Sequence, residues 1–484
     1  MRGARRRLRI VGLALVALLA IGAIGYGAWT RIIQPAMLPS EPSMPALSAD
    51  LQKLQDYYHF RFLPDGYPGK LLNGTLTVEP IYGRYVIGDY IRQYQATPTP
   101  ELRDAIAKVS HAAIARMEPL GDALVFWYPP EMHISRQPDK HYSGLTQAYY
   151  AEVLYQAYQV LGDDSLRVAS EKCFRSLLIP KEQGGVYYSW GDNVALAEVP
   201  TAPRDLILNG WLSILASVHS YADLTGSAEA SDLFKRSAAT VARLLPLYDD
   251  PDLKNSRYNL TGPVSLRLEF AGDPKSVVVR DLRVDIPQEG TFPVPVDSAT
   301  RWEYWVNPNS ASAVDGGFTP TKAKVGVNVV LSRLSYPDTN VIRFSVDSPA
   351  ATTVTLSVSV GRYNPLTSEQ SDESWQPVQT TNVGVGTTDV AVELPWSQVD
   401  LIAYPTNFIK KISGKNTDVY HVIHILRLRK LAEWTGDPVF TQWADTWQGY
   451  VCAWATMPIY QGLYARDYRI DAVDLAANPA TFCK

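Results

Sequence analysis

The chain has 484 residues, several times the roughly 100–200 of one domain, so more than one core is expected. With 46% hydrophobic and 19% charged residues it is neither a disordered nor a collagen-like chain. Lys and Arg (45) nearly balance Asp and Glu (49), with no long basic run beyond the first nine residues, which excludes the charge footprint of a nucleic-acid binder. Tyr (28) and Trp (12) outweigh Phe (12), and such amphipathic rings suit sugar-lined clefts as well as interfaces and half-wet cores.

In chain order, residues 1–9 form a basic tail with five arginines. Residues 10–29 hold no charge and match the ~20 residues of a bilayer-spanning helix. The basic flank predicts a cytoplasmic N-terminus. The expectation is therefore a single-pass signal anchor, with the main domain extracytoplasmic, whether periplasmic, extracellular or lumenal; a cleaved signal peptide is the alternative. Residues 30–50, rich in Pro and Ser, read as a stalk.

From 51 to 262, apolar residues recur at helical spacing in 101–117, 145–161, 165–178, 206–224 and 228–247. Packed helix hairpins of this kind predict an α/α-toroid. The period then switches to two: Val264, Leu266, Leu268 and Phe270 alternate with polar residues, as do 354–360 and 390–394, and β-branched runs occupy 277–286, 325–334 and 341–346. An inserted β-sandwich over 263–400 is expected. Helical periodicity returns at 420–434 and 438–454, so 401–484 reads as the second part of the helical domain. The fold class expected is mainly α, a toroid interrupted by a β-sandwich and preceded by one transmembrane helix.

Phosphate-loop, Rossmann, zincin and hydrolase-elbow motifs are missing. His421 and His424 stand at i, i+3 without a third ligand nearby, so no metal is expected. Cys173, Cys452 and Cys483 are too few for a disulfide scaffold; Cys452 and Cys483 could bridge, or all three could be buried thiols.

Three runs stand out in order. They are Glu198-Val199-Pro200-Thr201-Ala202-Pro203 with Leu208-Asn209-Gly210-Trp211, then Leu245-Pro246-Leu247-Tyr248-Asp249 with Tyr258-Asn259-Leu260, then Tyr420-His421-Val422-Ile423-His424-Ile425. Together they resemble the C-terminal domain of the D-glucuronyl C5-epimerases that act on heparosan-type polysaccharides in glycosaminoglycan biosynthesis. Gln147, within 143–150, resembles that family too.

The resemblance implies an isomerase that needs no cofactor. It removes the C5 proton of a glucuronate and returns one from the opposite face, with tyrosines and a glutamate for the proton transfers. Carried over by position, the catalytic set is Glu198, Tyr258 and Tyr420. Asn209, His421, His424 and Gln147 are implied to bind substrate. Two family positions differ: Val199 stands where the family has Tyr, and Thr261 where it has a carboxylate-binding Arg. Tyr187 or Tyr188 could replace the phenol and Arg257 the cation. The partners implied are a uronic-acid polysaccharide and, through one helix, the membrane, with a homodimer left open. A uronate lyase, which begins with the same proton abstraction, and a non-catalytic polysaccharide-binding protein are the alternatives.

Overall fold

The computed structural model describes residues 41–72, 74–132, 137–296, 304–359, 375–399, 410–412, 415–417, 419–453 and 457. The chain divides into two compact units, Met1–Met117 with Gln156–Arg167, and Glu118–Tyr155 with Val168–Lys484.

In the first unit, helix α1 (Ala49–Tyr58) begins at Ser48, whose Oγ accepts from the Leu51 N–H and so satisfies one open donor of the first turn. The Ser48 N–H and hydroxyl both donate to Asp89, a buried carboxylate. A small antiparallel sheet follows, of β1 (Phe60–Phe62), β2 (Pro68–Leu72) and β3 (Thr75–Val78). Helices α2 (Tyr82–Ala96), which carries Asp89, and α3 (Pro100–Ile114) form a hairpin. Its core includes Val86, Ile87, Tyr90, Ile106 and Val109. Thr99 caps α3 and Pro100 occupies its first turn, where a missing N–H is harmless.

In the second unit, helices alternate with very short hairpins: β4 (Glu118–Leu120) with β5 (Ala123–Val125), then α4 (Gly144–Leu161), which runs on into the first unit, and α5 (Asp164–Ser176). Next come β6 (Tyr187–Trp190) paired with β7 (Asn193–Leu196), α6 (Leu208–Thr225), α7 (Ala228–Tyr248), and β8 (Asp249–Asp250) paired with β9 (Asn255–Ser256).

Eleven strands then follow among the described residues: β10 (Thr261–Phe270), β11 (Val278–Ile286), β12 (Gly290–Pro293), β13 (Trp305–Val306), β14 (Ala311–Val314), β15 (Gly317–Pro320), β16 (Lys324–Ser332), β17 (Asn340–Ser348), β18 (Thr352–Ser359), β19 (Trp375–Val383) and β20 (Gly386–Leu394). One sheet runs β13-β16-β10-β18-β19; the other runs β14-β15-β11-β17-β20, with β12 on β11. Every pairing within them is antiparallel. Leu266 lies opposite Val327 and Val358, and the inward residues of both sheets, Leu266 and Leu268 with Val284, Phe344 and Val346 among them, share one hydrophobic core. Period-two patterning puts every second residue of β10 into that core. After a short hairpin, β21 (Lys410–Ile412) with β22 (Lys415–Thr417), helices α8 (Val419–Thr435) and α9 (Pro438–Ala453) pack on each other, and α8 also meets α6.

Two expectations need correction. About 40% of the structure is helix and 31% strand, so the fold is not mainly α. The excess of strand comes from the two sheets together with the short hairpins set between helices, which no periodicity announces. The single-pass membrane placement, with one transmembrane helix and the main domain outside, is corrected too. Among the described residues no helix is long and apolar enough to cross a bilayer. The longest, α4, α6 and α7, carry Glu152, Asp223 and Glu229 respectively within their lengths. The expected span at 10–29 and the pairing of Cys452 with Cys483 lie outside the described residues. Cys173 is a buried thiol.

Candidate functional site

The loop after β7 carries Glu198. Its backbone carbonyl accepts from the Gly144 N–H at 2.9 Å, and Pro200 and Pro203 stiffen the chain that follows. Gly210, in the first turn of α6, is what lets the Glu198 side chain in, because a Cβ there would stand 2.3 Å from Glu198 Oε2. That oxygen is buried and has no hydrogen-bond partner among the described residues. Desolvation therefore pushes the carboxyl up from 4.5 to about 7. Beside Gly210, Asn209 Oδ1 is likewise buried without a partner among the described residues. Two such buried oxygens meet at one helix start, where hydroxyl donors would satisfy them.

Tyr258 accepts the Leu208 N–H on its backbone carbonyl, which fixes it against the start of α6. Its half-buried ring lies 4.9 Å from that of Tyr420, tilted by 58°. Burial, reinforced by the charge of Glu198, moves its phenol well above the ordinary value. Tyr258 is thus held protonated near neutral pH.

Behind the tyrosines is a fully buried network. The Trp447 carbonyl can only accept, so the His421 Nε2 at 2.9 Å carries the proton. His421 Nδ1 then accepts from the Ser256 N–H at 3.0 Å, and the Ser256 Oγ lies 2.7 Å from Nδ1 of both His421 and His424. Desolvation brings His421 down to about 4 and His424 well below its ordinary range, so both rings are neutral near pH 7. They brace Tyr420 and the Ser256–Tyr258 segment from within rather than offering positive charge to a phenolate.

The other predicted residues are placed as follows. Arg257 is buried and ion-paired with Asp250 at 3.2 Å, and its N–H donates to the Tyr248 carbonyl. Thr261 donates through its hydroxyl to Asp205, which also accepts from the Asn259 amide at 2.9 Å. Gln147 is wholly buried and spent on structure: its Oε1 accepts from the Phe126 N–H, and its amide donates to Leu124 O and Ser176 Oγ. Tyr188 is buried, its hydroxyl 3.2 Å from both the N and O of Thr201, while Tyr187 is half-buried on β6. The structure therefore draws Glu198, Asn209, Tyr258 and Tyr420 to the start of α6, and assigns Gln147, Tyr188, Arg257, His421 and His424 to the frame. Asp205 and Ser256, which tie the segments together, had no spacing in the sequence that could single them out. Among the described residues no group of three or more His, Cys, Asp or Glu could hold a metal.

Residues 126–267 match the family model of the D-glucuronyl C5-epimerase C-terminus. Over 124 residues the chain is 26% identical to the D-glucuronyl C5-epimerase of Caenorhabditis elegans, covering 23% of this chain and 20% of that protein. Over 117 residues it is 26% identical to an uncharacterized protein of Methanocaldococcus jannaschii, covering 22% of this chain and 36% of that one. The chain thus spans well under two thirds of either relative. The matched segment contains Glu198, Asn209 and Tyr258; Tyr420, His421 and His424 lie beyond it. The relation to the C5-epimerase family holds for this segment and suggests an epimerase-like function.

Proposed function

We infer that this chain, related through residues 126–267 to the D-glucuronyl C5-epimerases, inverts C5 of glucuronate residues in a polysaccharide. The observation that carries the reading is the Glu198 carboxyl: one oxygen buried and unpartnered, ionising near 7, beside a tyrosine kept protonated. A base poised near the working pH is what abstraction of a weakly acidic C–H proton requires.

Glu198 takes the proton from C5, and the electron pair moves into the substrate carboxylate as an enediolate. The Tyr258 phenol, with Tyr420 against it, returns a proton to the opposite face, and exchange with solvent resets both groups. Asn209, in the first turn of α6, suits the growing negative charge and the sugar hydroxyls. Arg257, already neutralised by Asp250, is not available for that task. Of the two phenols offered in place of the one missing at Val199, Tyr188 is bonded to Thr201, and Tyr258 serves as the proton donor in this reading.

The test is deuterium uptake at C5 of a heparosan-type polymer in heavy water. Uptake with an intact chain supports the epimerase. Unsaturated uronate ends would identify a lyase instead. Polymer binding with neither product would make the site a binding cleft, the reading that Val199 and Thr261 favour.

A further inference from the structure

We propose that Glu289, from the strand-rich part of the chain, is a positioning residue for the 198–205 loop, so that the β-sheets are a working part of the site. The inference rests on the reading given above. Glu289 sits in the turn joining β11 to β12, where Gln288 adopts a left-handed φ of 64° that non-glycine residues seldom take. That turn presents two acceptors to one arginine. The Arg204 N–H donates to Glu289 Oε2 at 3.1 Å, its Nε–H to Oε1 at 2.6 Å, and Nη2 to the Gln288 carbonyl at 3.1 Å. The two side chains are only 8% and 3% exposed, and the guanidinium lies 4.5 Å over the Trp190 ring. Lys181 over the Tyr188 ring, Glu182 and Asp205 are other charged groups nearby.

Arg204 stands at the junction of the two proton-transfer residues. On one side, the next residue, Asp205, accepts from Asn259 and Thr261, which flank Tyr258 closely in sequence. On the other, the Asp205 N–H donates to Thr201 Oγ1 at 2.8 Å, and Thr201, held by the Tyr188 hydroxyl, is three residues from Glu198. Immobilising Arg204 therefore fixes both Glu198 and Tyr258. Burying an ion pair seldom gains stability by itself, but a forked guanidinium contact defines a position as a single ammonium does not.

The experiment compares wild type with Glu289→Gln, Glu289→Ala and Arg204→Lys in the full chain. Asp285→Asn, which removes a half-exposed ion pair with Arg343 on the same sheet, is the control with unchanged activity. Expected are unaltered circular dichroism, a kcat for C5 exchange lowered at least tenfold, and a KM changed less than threefold. Glu198, reached by water, should also ionise at lower pH, moving the acid limb of the pH–rate profile downward. Folded variants with wild-type kcat, or an activity loss that follows the folded fraction with the limb unmoved, would overturn the proposal. Should wild type show no C5 exchange, infrared titration of the Glu198 carboxyl, identified by its loss in Glu198→Gln, still decides. A downward move in Glu289→Gln or Arg204→Lys supports the clamp while the epimerase reading fails; no move overturns the clamp.

Discussion

Replacing Glu198 by Gln separates a buried acid–base group from a mere packing residue, because the two differ in how stability depends on pH. The carboxyl ionises near 4.5 when unfolded and near 7 in the fold, so between those values the folded state holds the proton that the unfolded state has lost. Stability of the wild type therefore falls as pH rises from about 4.5 through 7. At roughly 1.4 kcal/mol per pH unit the total comes to about 3 kcal/mol. Glutamine cannot ionise and escapes this loss. Any constant cost of its amide, buried where Oε2 now lacks a partner, is common to every pH and cancels from the difference. Urea melts of both proteins at pH 4 and pH 8 should thus show Glu198→Gln gaining about 3 kcal/mol relative to wild type across that interval. C5 exchange should fall by ~10²–10⁴. A stability difference that stays flat between pH 4 and pH 8 would refute the reasoning, since it would mean that Glu198 ionises in the fold where it does in the unfolded chain, as a solvated carboxyl does.

Tyr258→Phe and Tyr420→Phe, each losing only a hydroxyl, should melt within about 1 kcal/mol of wild type while C5 exchange drops by ~10²–10⁴. Gly210→Ala would gain up to ~1 kcal/mol of helix propensity, yet its Cβ would collide with Glu198 Oε2; the expected outcome is near-normal stability with exchange lost, measured by the same deuterium assay. Gln147→Leu strands the Phe126 N–H and the Leu124 carbonyl, so chemical denaturation should reveal a loss of about 2–4 kcal/mol, and a folded fraction with unchanged KM for polymer. Val199→Tyr restores a phenol beside Glu198 and should raise C5 exchange if the site is an epimerase, whereas a pure binding cleft would gain none.

Local patterning was sufficient for helices α4 to α9 and for strands β10, β11, β16, β17, β18 and β20. Apolar residues three and four apart placed α4 to α9 within a few residues of their ends, since an amphipathic stripe is a property of neighbouring residues alone. The alternation at Val264 to Phe270 likewise announced β10. Helices α1 and α2 escaped notice, and α2 explains why: its buried set includes Tyr82, Tyr90 and Asp89, which no apolar stripe registers. Strands of two to four residues such as β6 and β8 are shorter than one readable alternation, and that is why a mainly α chain was expected where strand makes up 31%.

The site divides along the same line. The chain itself carried the identities of Glu198, Asn209, Tyr258 and Tyr420, whose clustered runs resemble one family. Which of the named residues lie together at the start of α6, and which are spent on the frame, was decided only by the folded chain. Ser256 meets His421 across 165 positions and Arg204 meets Glu289 across 85. Whether a carboxyl is solvated or stripped of partners depends on what those distant segments bring to it. Desolvation and pairing are set by three-dimensional neighbours, which no spacing along the chain records; the tertiary structure alone therefore raises the Glu198 carboxyl to about 7 and makes His421 a neutral strut.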